Sequence, residues 1–510
     1  MKKILLSICL LFTNPFIAQA NQEVSIFKNG TAFFVKKINL QPKNNQITIN
    51  NLPDAILGTI WFNSSNNNIQ SIISEIANLP LSTKVNNQSD LLRANIGKKL
   101  KIIFHSGDSL IAQVESVENE LVFLKVNQSF ISTAISDIKM LEFYEKPDSQ
   151  FLKDQEKRLI KLDLKKSVAK QDIEMMYMQG NIGWLPNYII EMETDKIAKL
   201  SLNANIINDA EDLENASLSL VVGVPNFMYA GLKSPLTSTQ DFNELIRMME
   251  GQGITSNISA RSNLSNIMTQ SVNNYASADE SQVLSNENNF SQQEDLYFYR
   301  IPNISLKKSA RANFEIFSAK LNYEHIYETE LDSNQNRNYY NDETPSKELP
   351  KVWHSIEINN TTTYPFTTGT AMVVRKEKNL VKPISQDKLN YTPVKSKVKV
   401  KLTSSPDITI KPTEEETSRT ENIHLKDNNY YDQVFIQSKV LVKNSKKEAI
   451  KLNITRNITG SFLNSNYNPN ITSLNIYQAQ NKTSKLEWNV NLKSGEKKEI
   501  VYNYSLHIRR

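Results

Sequence analysis

The residues with chemistry to offer are few and scattered. Four carboxylates crowd one short stretch, Asp209, Glu211, Asp212 and Glu214. Hard oxygen ligands in such numbers suit calcium, but the Gly-punctuated loop of an EF-hand is missing. Paired carboxylates also cleave glycosides, yet any surface turn can supply two. The simpler reading is a polar turn between strands, with Asp212 accepting from local backbone N–H groups. The five histidines are His105, His325, His354, His424 and His507. They form neither H-x-x-x-H nor H-E-x-x-H, which excludes a zincin at the level of motif. His325 in YEHIY and His354 in WHSIE sit among strand residues and could meet in space. A satisfied structural histidine is the better reading of each. No G-x-S-x-G, P-loop or G-x-G-x-x-G occurs. The run Glu414-Glu415-Glu416 with Arg419 reads as a solvated turn.

The stretch GNIGWLPNYIIEME, Gly180 to Glu193, sets a tryptophan and a proline between two glycines and an alternating apolar run. Pro186 fixes φ and has no N–H, so it belongs at a strand start or edge. Trp184 is large and favours burial with its N–H bonded. The preferred reading is that Trp184 fills a core where a strand enters and Tyr188 caps it. The second reading is an aromatic ligand platform. The candidate binding residues are therefore Trp184, Tyr188, Glu211, Asp212 and His354. No catalytic residue, metal or cofactor is assigned.

These residues must be positioned by strands. The chain has 510 residues, 39% of them apolar and 22% charged, with a net charge of +5. That length exceeds one hydrophobic core and predicts two to four domains. The small charge excess does not mark a nucleic-acid binder. Lys153 to Lys170 alternates Lys with Asp, Glu and Leu, as a solvated strand or helix face does. Residues 1–20 have a charged start, an apolar middle and an Ala18-Gln19-Ala20 end, the form of a cleaved signal peptide. The only cysteine, Cys9, falls inside it. The mature chain then has no disulfide, no thiolate nucleophile and no cysteine metal site. No later apolar run approaches ~20 residues, so no membrane-spanning helix is expected.

Alternation dominates the rest. A small N-terminal β domain is read over 21–85, with Asn29-Gly30 as its hairpin turn. Five short strands over 90–148 suggest an Sm-like or SH3-like barrel insert. Further strands indicate β-sandwich domains over 155–375 and 376–510. A Ser/Asn/Gln-rich insertion at 236–293 is too polar to bury a core and reads as disordered, with one short amphipathic helix at Phe242–Met249. The polar stretch Asp332 to Lys347 reads as a loop. The fold class is all-β.

Several motifs occur in a specific order. GWLPNY at Gly183–Tyr188 is followed by NDAEDLENASLSLVVGVPNF, then by DLYFYRIPNISLKKSARANF, VWHSIEINNTTTYPFTTGTAMVV and NYTP, and finally by Leu486-Glu487-Trp488 and Leu492-Lys493-Ser494-Gly495-Glu496. Together they resemble the family called domain of unknown function 4139, matching it at Asn208, Glu211, Asp212, Leu213, Gly223 and Pro225. The N-terminal VSIFKNGTAFF and INNLP resemble its companion, domain of unknown function 4140. Some members are known as mucoidy inhibitor A-like. The resemblance covers nearly all of the mature chain and brings no established catalytic residues. Many members carry a coiled coil between the two domains, where this chain has a barrel-like unit. Coiled-coil assembly is therefore not carried over.

The expectation is an exported, periplasmic or extracellular, non-enzymatic envelope protein that binds a protein or glycan partner. Nucleic acid is not expected as a partner. The alternative is a hydrolase of envelope polysaccharide or peptide, using carboxylates near Glu211 and Asp212 with His354.

Overall fold

The structure is a computed structural model. It describes residues 22–223, 225, 227, 229–239, 242–249, 290–293, 296–331, 349–377, 380–424, 430–474 and 480–509. The expected signal peptide with Cys9, most of the insertion at 236–293 and the 332–347 loop lie outside them. The described chain is nearly all β, as the alternating pattern requires. In Ile197–Asn208, for example, Ala198, Leu200, Leu202, Ala204 and Ile206 are buried and the residues between them are not. Successive side chains of a strand point to opposite faces, so every second apolar residue reaches the core. The helix read at Phe242–Met249 is present.

The chain divides into two compact units. The first comprises 1–34, 180–228 and 255–510, and the second 35–179 and 229–254. The 21–85 stretch is therefore not one compact body. Its first strand, Gln22–Ile26, pairs in parallel with Leu213–Val222.

In the second unit a long ribbon joins Ile69–Lys84 to Gln150–Leu164, with Gln46–Ile49 on the other side of the latter. The Lys153 stretch is thus a strand, largely exposed in its first half. At the end of the ribbon Lys84 pairs with Gln150, and the Val85 N–H donates to the Ser149 carbonyl at 3.0 Å. The segment between them opens with a helix, Gln88–Ala94, capped by the Asn87 side chain. Five antiparallel strands follow: Lys99–Phe104, Ser109–Glu118, Leu121–Val126, Ser129–Ala134 and Ile138–Phe143. The last pairs with the first, and the other neighbours pair in sequence. They enclose their own core, which includes Leu92, Leu100, Ile102, Val114 and Leu124. No ladder joins Ser129–Ala134 to Ile138–Phe143 among the described residues, so a closed barrel is not established.

The first unit contains the same four-strand pattern three times among the described residues. A first strand pairs with a fourth, and the second pairs with the third. In the first repeat Ile197–Asn208 pairs with Ala310–Leu331, and Leu213–Val222 with Leu296–Leu306. In the second, Trp353–Asn359 pairs with Lys397–Ser404, and Gly369–Glu377 with Leu380–Leu389. In the third, Tyr430–Asn444 pairs with Lys497–Arg509, and Ile450–Thr459 with Thr483–Leu492. This is a sandwich-like arrangement, in which the chain turns a corner from one ladder to the other.

A fully buried asparagine secures each corner. Asn208 Nδ2 donates to the Glu211, Leu306 and Lys307 carbonyls at 2.7, 3.1 and 3.1 Å. Asn360 does the same to Tyr364, Thr392 and Pro393, and Asn444 to Glu448, Leu492 and Lys493. Each Oδ1 accepts from the N–H two residues on, at Ala210, Thr362 and Lys446. Carbonyls leaving a ladder need donors. One amide supplies them to two corners at once.

Candidate functional site

The strand Ala310–Leu331 changes partners midway. Up to Asn322 it pairs with Ile197–Asn208, and from Tyr323 it pairs with Trp353–Asn359. An open groove of about 1260 Å³ lies at this change. The floor comes from YEHIY, where the period of two puts Tyr323, His325 and Tyr327 on one face. His354 is opposite Tyr327 in the ladder, and Ile356 is opposite His325. His354 is therefore the diagonal neighbour of His325 on that same face. His325 Nδ1 and His354 Nε2 are 2.8 Å apart. His354 stacks on Tyr327 with centroids 4.7 Å apart, and Tyr323 meets His325 edge-on. Both histidines are half-buried.

The walls are the corners described above. Asn444 holds the turn that carries Lys446 and Glu448 into the groove, and bonds the corner that carries Lys493 and Glu496. Lys446 Nζ lies 5.4 Å from the Tyr327 ring centroid, a cation–π contact. Lys451 bonds Glu324 at 2.6 Å and Lys397 bonds Glu357 at 2.7 Å along the rim. Lysines and carboxylates thus alternate around an aromatic floor.

Burial, then the neighbouring charges of His325, Lys446 and Arg375, push His354 down to about 4. Burial also lowers His325, where Asp195 and Glu448 oppose Arg375 and Lys446. Near neutral pH both rings are uncharged, and the pair shares one proton between its facing nitrogens.

The other sequence candidates lie elsewhere. Trp184 and Tyr188 are each 1% exposed. Trp184 Nε1 donates to the Val221 carbonyl at 3.2 Å, and its ring meets Tyr299 edge-on. The Tyr188 hydroxyl donates to the Thr367 carbonyl at 2.8 Å. Both side chains fill the core, where no ligand in solvent reaches them. Asp212 and Glu211 do not line the groove. Asp212 accepts from the Lys308 N–H at 2.8 Å and from Lys307 Nζ at 2.9 Å, which hold its carboxyl below the usual range. That N–H belongs to the facing corner rather than to the local turn. Asp209 forms a bidentate pair with Arg311. These contacts tie one corner to the next.

The glutamate run is also different from the expected turn. Glu414 lies within the strand Ile408–His424, its side chain 5% exposed and 2.7 Å from buried Arg456. Of the five site candidates only His354 lines the groove. Its partner His325, which lines the groove beside it, is not among those five. The signal that could have found it is the Tyr-x-His-x-Tyr alternation. Among the described residues no group of three or more His, Cys, Asp or Glu side chains is placed to hold a metal, and no helix is long and apolar enough to cross a membrane.

No protein-family model matches this sequence, and no curated protein matches it.

Proposed function

We propose that this chain is an exported, non-enzymatic envelope protein, periplasmic or extracellular, that uses the groove at Tyr323–Tyr327 and His354 to bind a protein or glycan partner. The observation that carries the reading is the groove itself. It is wide, open, aromatic at its floor and ringed by alternating charge, the make-up of a recognition surface for a polar, extended ligand. The carboxylates that line it at Glu324 and Glu357 are bonded to lysines, which favours recognition over acid–base chemistry. The resemblance to the domain of unknown function 4139 family, with a signal-peptide-like start, supports an envelope setting.

The test is capture from the protein and polysaccharide fractions of an envelope extract, each probed separately. Wild type and Lys411→Glu, outside the groove, are expected to retain the same partner. The double variant Lys397→Glu/Lys451→Glu, which inverts charge on the rim, is expected to lose it while melting normally. Equal capture by all three would move the partner to another face.

A further inference from the structure

We propose that His325 and His354 form a binding site for a first-row transition-metal dication of the zinc or copper(II) type, open to the groove and completed by water. The inference goes beyond partner binding and does not depend on it.

Three observations carry it. First, the facing nitrogens are 2.8 Å apart. Two imidazole nitrogens, each about 2.05 Å from one metal at cis angles, stand about 2.9–3.4 Å apart. The ion would lie off the line joining the nitrogens, so a separation of a few tenths of an ångström and a turn of each ring toward the groove admit it. Imidazole is a ligand such metals favour. Second, both rings are held in place. His354 is stacked on Tyr327, His325 is buttressed by Tyr323, and the two strands are in fixed register. Third, the pair opens on a groove wide enough for a hydrated ion, with Asp195 and Glu448 among its lining residues.

The proton balance is simple. In the free protein one proton lies between His325 Nδ1 and His354 Nε2. On binding, the ring that carried it passes it, through water, to its own outer nitrogen. Both facing lone pairs then go to the metal, and no net proton is released. Two protein ligands leave several coordination positions to water, so the metal would be exchangeable and accessible to a partner in the groove.

The test uses the untagged mature chain, stripped with chelator and titrated with zinc chloride by calorimetry. One equivalent is expected per chain, with at least tenfold weaker binding in His325→Phe and His354→Phe. Phenylalanine keeps an aromatic ring at each position and removes the ligand, and thermal melts check the fold. Copper(II) electron paramagnetic resonance on wild type gives a readout that needs no variant. Splitting from two imidazole nitrogens is expected, and from one in either variant. No heat and no nitrogen splitting in wild type would overturn the site, as would undiminished one-equivalent binding in the folded variants. Because no partner is present, failure here leaves the capture result untouched, and the converse holds too.

Discussion

At the scale of single residues, buried polar groups decide most. Lys28 is 7% exposed and gives its ammonium protons to the Thr368 carbonyl at 2.7 Å and Thr367 Oγ1 at 3.1 Å. Burial, helped by Lys388, lowers it from 10.5 to about 8. Between those values the unfolded chain binds more protons than the folded one, so this group makes stability rise with pH. Below about pH 8 its full cost is present, and above about 10.5 the cost is gone. The melting temperature of wild type relative to Lys28→Met is therefore expected to climb from pH 8 to 10.5. A constant difference across that window would contradict the assignment. The corner asparagines make a second prediction. Replacing Asn208, Asn360 or Asn444 by alanine leaves buried carbonyls without donors, at a cost of about 1–3 kcal/mol each, read from urea unfolding. Aspartate, which offers no donors and repels the carbonyls, is expected to cost more.

At the scale of elements, close backbone approach sets the pairing. The strand Gly369–Glu377 runs parallel to Ile182–Met192, beginning at Thr370 opposite Asn187. A Cβ on Gly369 would lie 2.6 Å from the Pro186 carbonyl oxygen. Glycine is thus required by the neighbouring backbone rather than by its own φ. Gly369→Ala is expected to displace the strand and cost about 1–3 kcal/mol. Gly231→Ala, which meets nothing within 4 Å, serves as the unaffected control in the same denaturation series. The sequence offers half of this contact. Pro186 marks a strand with a missing donor, but nothing near Gly369 names the residue it must approach. The Trp184 stretch was legible for a different reason. A bulky amphipathic ring beside alternating apolar residues has few places to go other than a core.

At the scale of the whole molecule, the small β unit is spliced into a ribbon whose ends already meet. Val85 and Ser149 are hydrogen-bonded across the ribbon, and the unit between them has its own core. Replacing 86–148 by a two-residue Asn-Gly turn is expected to leave a chain that folds and melts cooperatively, because hairpin strands need only a short turn. The excised segment is expected to give a β-type circular dichroism spectrum on its own. Failure of either piece to fold would show that the boundary is wrong. The threefold repeat belongs to this scale too. A constant sequence mark among its described residues is an asparagine at the first strand's end, in IIND, INNT and VKNS. In so asparagine-rich a chain that mark does not stand out.

The sequence by itself determined the all-β character, most strand positions and the aromatic face of YEHIY. Alternation is local: one strand's pleat assigns its own residues to two faces without reference to any other strand. What only the tertiary structure decided is which faces meet. His325 and His354 are joined by a register between two strands. Glu414 is buried because Arg456 arrives from another strand, and each corner asparagine finds carbonyls far along the chain. Register and corner contacts depend on long-range pairing and packing, and those are fixed only when the sheets assemble.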